Sequence, residues 1–315
     1  MKPIPDYSDR PLCAILEELR DRIRQLDPQE IFDFLALDPD LCTGRYAGER
    51  IAIQQEQGIC RGWDDWNTLA RHLGCRLLTP RCESGSKVRV RLQKLSPKSF
   101  HTSDASSRGE KYASHSPYAR IRKNETPAFF CDYRRALERL QIPHRRRILD
   151  LGLNRGDELE PILELAGENA QSLEITGVDL ACDALAEAQK RWPALRTHCH
   201  DLNRLDELNL GRFDLILSIG TLQSPGIEMK PLIMELVQNH LAPEGVILLG
   251  WPNARWIDGE LLYGARPKNY SFPELSLVIK DLFWIKKYLQ QHRFRVIVTG
   301  REYLFLEATK IVRSL

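Results

Sequence analysis

The stretch Arg147-Ile148-Leu149-Asp150-Leu151-Gly152-Leu153-Asn154-Arg155-Gly156-Asp157 restricts the fold of this chain more than any other. Ile148, Leu149 and Leu151 form the short apolar run that a parallel strand covered on both faces requires. Gly152 and Gly156 leave no Cβ where the backbone must pass close to a ligand, and Asn154 between them is one of the few other residues that tolerates left-handed backbone angles. Acids at Asp157, Glu158 and Glu160 then precede apolar residues at helical spacing, so the turn opens a helix whose first amides face the ligand. Strand, glycine turn and helix make the nucleus of an α/β fold, with the turn as its candidate ligand site.

A glycine turn alone also suits a tight strand-to-helix connection with no ligand; the units that follow give it weight. Leu173 to Leu180 reads as a second strand with Asp179 at its carboxyl end, where such folds place a carboxylate to accept two ribose hydroxyls. A helix from Asp183 to Trp192 stops at Pro193, and His198 to Leu202 ends a third strand on another acid, Asp201. Phe213 to Gly220 and Gly245 to Trp251 supply a fourth and a fifth strand. Alternation at this spacing gives an open parallel sheet with its ligand chemistry at the carboxyl ends. Arg295 to Thr299 and Tyr303 to Thr309, turning about Gly300-Arg301, predict a closing hairpin. A nicotinamide-binding unit would need G-x-G-x-x-G, and Asn154 and Asp157 break that pattern.

Taken in this order, Ile148 to Gly156, Asp179, Asp201 and Phe213 to Gly220 resemble the successive motifs of the class I S-adenosylmethionine-dependent methyltransferases, with Asn154 where the usual first motif has glycine. The resemblance runs over roughly residues 118 to 315. It implies a seven-stranded, mostly parallel, doubly wound α/β sheet with a reversed strand in the C-terminal hairpin. It also implies S-adenosyl-L-methionine as cofactor, with Gly152, Asn154 and Gly156 at the methionine end and Asp150 on the turn or the donor's amino group. Asp179 would take the ribose, Asp201 and Leu202 the adenine, and Ser218 would border the same site. The implied reaction is methyl transfer by in-line displacement, which needs donor and acceptor aligned and a base only where the acceptor is a poor nucleophile.

The length of 315 residues fits two domains. We divide the chain into a small α+β N-terminal domain over 1–95, a basic linker or lid over 96–125, and the donor-binding domain over 126–315. In the first, Leu12, Ile15, Leu16, Leu19 and Ile23 predict a helix from Pro11 to Leu26, Ile31 to Leu35 a second short helix, and Gly62 to Gly74 a third. Arg76 to Arg81 and Lys87 to Leu95 read as a hairpin. Its second strand alternates Val88, Val90 and Leu92 with Lys87, Arg89, Arg91 and Gln93, which fits either a solvated edge strand or a phosphate-contacting face. The segment from Pro97 to Thr126 is rich in Lys, Arg, Ser and His, and could track an anionic polymer or serve as a tether. RNA bound through segment 87–123 is therefore a candidate partner. In the resembling family the segment before the first helix often folds over the cofactor, which makes Tyr112, Tyr118 and Arg120 lid candidates.

The acceptor belongs beyond strands four and five. Gln223 lies in the turn after strand four, and the excursion after strand five carries Asn253, Arg255, Tyr263, Arg266, Lys268 and Tyr270 as substrate-binding candidates. Asp258 and Glu260 are the nearby carboxylates that could act as base. Trp251-Pro252-Asn253 lacks the aspartate that metal-using relatives of the resembling family carry there, so no metal is expected. The net charge of +2 marks no global field for nucleic acid or membrane. No apolar run is long enough to span a bilayer and the N-terminus has no signal core, so a cytoplasmic protein with no membrane partner is expected. Eight scattered cysteines without C-x-x-C spacing predict reduced, mostly buried thiols. The reading is a methyltransferase with an unidentified acceptor, RNA slightly ahead of a small hydroxylated or amino metabolite. The alternative is a non-catalytic S-adenosylmethionine- or RNA-binding protein of the same fold. Oligomeric state is not legible.

Overall fold

The computed structural model describes residues 3–53, 56–83, 85–97, 121–264 and 275–311. The chain divides into two compact units, Met1–Thr102 with Trp256–Leu262, and Ser103–Arg255 with Tyr263–Leu315. Residues 256–262, which the sequence assigns to the donor-binding domain, thus pack with the N-terminal unit.

In the first unit, helices α1 (Leu12–Gln25) and α2 (Trp63–His72) bury one face each against a three-stranded antiparallel sheet of β1 (Ile31–Leu37), β5 (Lys87–Lys94) and β4 (Cys75–Cys82), in that order. A small hairpin of β2 (Arg50–Ile53) and β3 (Glu56–Ile59) lies between them in sequence. Tyr7, Phe34 and Trp66 centre the core, with Phe34 5.2 Å from each of the other two rings. Ile31 to Leu35, expected as a helix, is strand: its apolar residues suit either period, and pairing with β5 from Ile31↔Gln93 to Leu37↔Lys87 decides it. The same pairing makes β5 the central strand of its sheet, where the sequence had offered an edge.

The second unit is a seven-stranded sheet in the order β13-β14-β10-β9-β6-β7-β8. Its members are β6 (Arg147–Leu151), β7 (Glu174–Asp179), β8 (Arg196–Cys199), β9 (Phe213–Ile219), β10 (Leu241–Pro252), β13 (Phe294–Gly300) and β14 (Tyr303–Lys310). All neighbours are parallel except those of β14, which runs antiparallel to β10 and to β13, so the reversed strand of the terminal hairpin is as expected. The continuous apolar runs of β6 and β9 are explained by cover on both sides. One face meets α3 (Pro127–Arg139), α4 (Leu159–Ala166) and α5 (Cys182–Arg191) through Tyr133, Leu137, Ile162 and Leu185. The other meets α6 (Met229–Glu235) and α7 (Ser276–Gln291) through Leu232, Ile285 and Leu289. Side chains of this size stabilise by about 1.5–3 kcal/mol each when fully buried, so the two covering layers hold the sheet and its loop ends in place.

The excursion after β10 contains a further hairpin, β11 (Ala254–Ile257) with β12 (Glu260–Tyr263). The cysteine expectation needs correction. Cys182 and Cys199 form a disulfide with Cα atoms 5.2 Å apart, and Cys13, Cys82 and Cys131 are exposed. Residue spacing could not show the bond, because β7–β8 pairing, Asp179↔Cys199, is what brings the end of β8 to the start of α5. Among the described residues no helix is long and apolar enough to cross a membrane.

Candidate functional site

The glycine turn closes on itself through tertiary contacts. Gly152 has φ +82° and its N–H donates to Val178 O at 2.8 Å, which sets the end of β6 against β7. A Cβ there would lie 2.6 Å from Cγ2 of Thr221 and closer still to its hydroxyl, so the turn after β9 and the turn after β6 share a space that only glycine leaves open. Asn154 adopts φ +49°, its Oδ1 accepts from Arg155 N–H at 2.9 Å, and its own N–H donates to Asp179 Oδ2 at 2.8 Å. Asn154 thus has the left-handed backbone angle that the sequence allows it, and its side chain bonds its own turn. Asp179 Oδ1 accepts from Ala181 N–H at 2.8 Å, so one carboxylate orients both the glycine turn and the start of α5. Asp201 accepts from Asn203 N–H at 2.9 Å and caps a 3-10 turn, Leu202–Glu207, with Leu202 buried beneath it.

Asp150 is fully buried on β6, and neither of its carboxylate oxygens has a hydrogen-bond partner among the described residues. Burial pushes its carboxyl well above the usual range, the Glu158 charge adds to this, and Lys123 opposes it. Glu158, 6% exposed, is lifted by burial from 4.5 to about 7, again against the pull of Lys123. Lys123 itself reaches the end of β9, with Nζ 3.4 Å from Ile219 O, and Asn124 beside it donates to Asp157 O and to Glu160 Oε2, both at 2.7 Å. The short segment before α3 therefore packs on the glycine turn. It brings one cation to Asp150 and Glu158, and Asp179 adds a charge that acts on both. The sequence reading missed Lys123 and Glu158. The polar pair Lys123-Asn124 just ahead of the helix cap was the available signal, masked by a run of similar cations.

Other expected site residues are placed differently. Ser218 is fully buried and its hydroxyl donates to Leu151 O at 3.1 Å, pinning β9 to β6. Gln223 folds back onto Gly220 O at 2.8 Å. Asn253 is buried, donating from Nδ2 to Arg301 O at 2.8 Å, and so secures the base of the hairpin excursion. Arg255 is half-buried, and the exposed Tyr263 has the Arg301 guanidinium 5.9 Å from its ring centre. Tyr112, Tyr118, Arg120, Arg266, Lys268 and Tyr270 lie outside the described residues.

Asp258 and Glu260, the candidate bases, stand in the first unit. Asp258 accepts from Ser96 N–H at 3.0 Å and from the Gln29 amide, and Arg76 lies 3.1 Å from it and 3.7 Å from Glu260. The Ser96 bond foremost, with Gln29 and Arg76, holds the Asp258 carboxyl below its ordinary value, which makes it a weak proton acceptor. The cationic face of β5 is likewise internally matched: Lys87 meets Asp6 at 2.8 Å, Arg91 meets Asp33 at 3.5 Å, and Arg89 pairs with Glu83.

Residues 149–247 match the model of a methyltransferase domain. No curated protein matches the chain. Among solved structures, an O-methyltransferase family protein from Burkholderia thailandensis aligns at 14% identity and a TM-score of 0.41, over 64% of this chain and 63% of that one, less than two thirds of its length. The plantazolicin methyltransferase solved in complex with SAH aligns at 13% identity and 0.42 over 64% and 94%, and a SAM-dependent methyltransferase from Aquifex aeolicus at 13% and 0.40 over 57% and 90%. The methyltransferase-domain match spans the glycine turn and the acidic strand ends, Asp179 and Asp201.

Proposed function

We propose that the chain is an S-adenosylmethionine-dependent methyltransferase acting on a small-molecule acceptor. The observation that carries the donor reading is the pair of unpartnered, fully buried carboxylate oxygens of Asp150, set beside the Lys123 cation and below the Gly152 turn. A buried carboxylate without a partner is costly, and a ligand that brings an ammonium group satisfies it. The residues therefore fit the donor: Asp150 for its amino group, Lys123 for its carboxylate, Asp179 for the ribose, Asp201 and the Leu202 backbone for the adenine. When bound, this group supplies an electrophilic methyl on a positively charged sulfur. The acids Asp150, Glu158 and Asp179 beside the turn would favour that positive charge when ionised, and the bonds of Asn154 to Asp179 and of Asn124 to Asp157 hold the turn in place.

For the acceptor, the internal matching of Lys87, Arg89 and Arg91 weighs against RNA, since a phosphate contact on this strand would have to break existing pairs. A small acceptor needs no such exchange. Calorimetric titration of S-adenosylmethionine and its demethylated product, with Asp179→Ala as control, tests the donor reading. Transfer of labelled methyl to RNA and metabolite pools then tests the acceptor. Label in the metabolite fraction supports the proposal; label in RNA, with affinity falling steeply as salt rises, overturns the acceptor class.

A further inference from the structure

Arg147, Glu174, Arg196 and Phe213 are the first residues of four adjacent parallel strands, β6, β7, β8 and β9. They line a cavity of about 330 Å³ at the amino ends of these strands, opposite to the end that carries Gly152, Asp179 and Asp201. The hollow follows from uneven cover. Three helices pack on the other face of the sheet, whereas here β7 and β8 are roofed by the 3-10 turn Leu202–Glu207 and the residues after it, Leu208 and Leu210.

The charges around the hollow are unequally matched. Arg147 stacks 5.2 Å from the Phe213 ring centre, donates to Leu210 O at 3.3 Å and lies 3.8 Å from Glu174, which Arg146 also meets at 3.1 Å. Glu207 pairs with Arg204. Arg196 and His198 line the hollow with neither an ion pair nor a side-chain hydrogen bond among the described residues. They sit two residues apart on β8, so both side chains emerge on the same face of the sheet. Thr176, the register partner of Arg196, adds a hydroxyl on that face. Two arginines, Arg147 and Arg196, and two glutamates, Glu174 and Glu207, line the hollow; both glutamates are met by arginines other than Arg196, which leaves the Arg196 charge unmatched among the described residues.

We propose that this cavity is a binding site for a small organic phosphate, with the phosphoryl group held by Arg196, His198 and the Thr176 hydroxyl and the organic part against Leu208 and Leu210. The unmatched Arg196 guanidinium suits an anionic group. Donors from a guanidinium, an imidazole and a hydroxyl on two adjacent strands stand on one face of the sheet and together can meet more than one phosphoryl oxygen. A pocket of this volume lies at the lower end of the range of small-molecule sites and admits a ligand the size of phenyl phosphate. The site is independent of the donor reading, since it shares none of its residues.

Titration of phenyl phosphate into the full-length protein, by calorimetry and phosphorus NMR, tests it. The native chain should bind with one-to-one stoichiometry, and Arg196→Ala and His198→Ala should each weaken binding about tenfold. Arg196 is exposed, so its removal leaves the core intact. Thr176→Val, which keeps the shape, should weaken binding by a smaller factor of about threefold. Asp179→Ala, at the opposite strand ends, should bind phenyl phosphate like the native chain. Absence of binding at millimolar probe, or equal affinity in Arg196→Ala, would overturn the proposal, as would loss of binding in Asp179→Ala. Inorganic phosphate should bind more weakly than phenyl phosphate, and equal binding would overturn the role given to Leu208 and Leu210.

Discussion

Replacing Glu158 with glutamine probes how the buried acids of the donor site are held. Burial is the largest influence on Glu158 and lifts its carboxyl from 4.5 to about 7. Between those values the folded chain keeps a proton that the unfolded chain releases, so this group's contribution is most favourable below pH 4.5 and is lost as pH rises through about 7. At 1.36 kcal/mol per pKa unit, the difference between 4.5 and about 7 corresponds to roughly 3 kcal/mol. Glutamine cannot ionise and has nearly the same shape, so Glu158→Gln should match the native chain in acid and exceed it by up to roughly 3 kcal/mol above about pH 8. Urea unfolding of both proteins at about pH 5 and pH 8, followed by tryptophan fluorescence, measures this. The two stabilities should diverge as pH rises. Parallel pH profiles would refute the argument, because they would mean that Glu158 ionises without penalty in the folded state. The same group links to ligand binding. A cationic donor beside Glu158 draws its carboxyl back down, so donor binding to the native chain should release a proton near neutral pH, and binding to the variant should release less. Titrations in buffers of different ionisation enthalpy would read the difference.

Gly152→Ala should destabilise the chain by about 2 kcal/mol or more, because φ +82° is strained for alanine and its Cβ would overlap Thr221. Adding Thr221→Ala, which removes both the hydroxyl and the Cγ2 methyl, should recover part of that loss in thermal unfolding; no recovery would refute these two atoms as its source. Asn154→Gly should cost at most a few tenths of a kcal/mol, and Asn154→Ala about 1 kcal/mol, since only asparagine and glycine suit the left-handed turn. Asp179→Ala should weaken donor binding at least tenfold and also lower thermal stability, because it releases the N–H groups of Asn154 and Ala181 together. Asp258→Asn should leave methyl transfer within about twofold of native while lowering stability by about 1 kcal/mol, because its partners are Ser96, Gln29 and Arg76. A large loss of turnover with unchanged stability would restore it as a base.

The turn proposed to hold the donor was legible because its determinants are local. A buried strand needs consecutive apolar residues, a tight turn needs residues that accept positive φ, and Gly152, Asn154 and Gly156 announce that turn in their side chains. The order of acids at strand ends and the terminal hairpin followed for the same reason, and the sheet has the expected strands. Asn253, expected to bind substrate, and Ser218, expected to border the cofactor, are both buried and donate to backbone carbonyls. A polar side chain in a loop gives no local sign of whether it faces a ligand or closes the loop.

What the sequence by itself determined is therefore the periodic and conformational part of this protein: a mostly parallel sheet with one reversed strand, and a tight glycine turn between its first strand and the helix that follows. Only the tertiary structure decided which charges are free. It paired the cations of β5 with Asp6, Asp33 and Glu83, and gathered Asp258 and Glu260 around Arg76. It also brought Lys123 to Asp150 and Glu158, and left Arg196 and His198 over a hollow at the far end of the sheet. The physical reason is range: backbone preference acts within a few residues, whereas the state of a charge depends on burial and on partners that strand pairing brings from far along the chain.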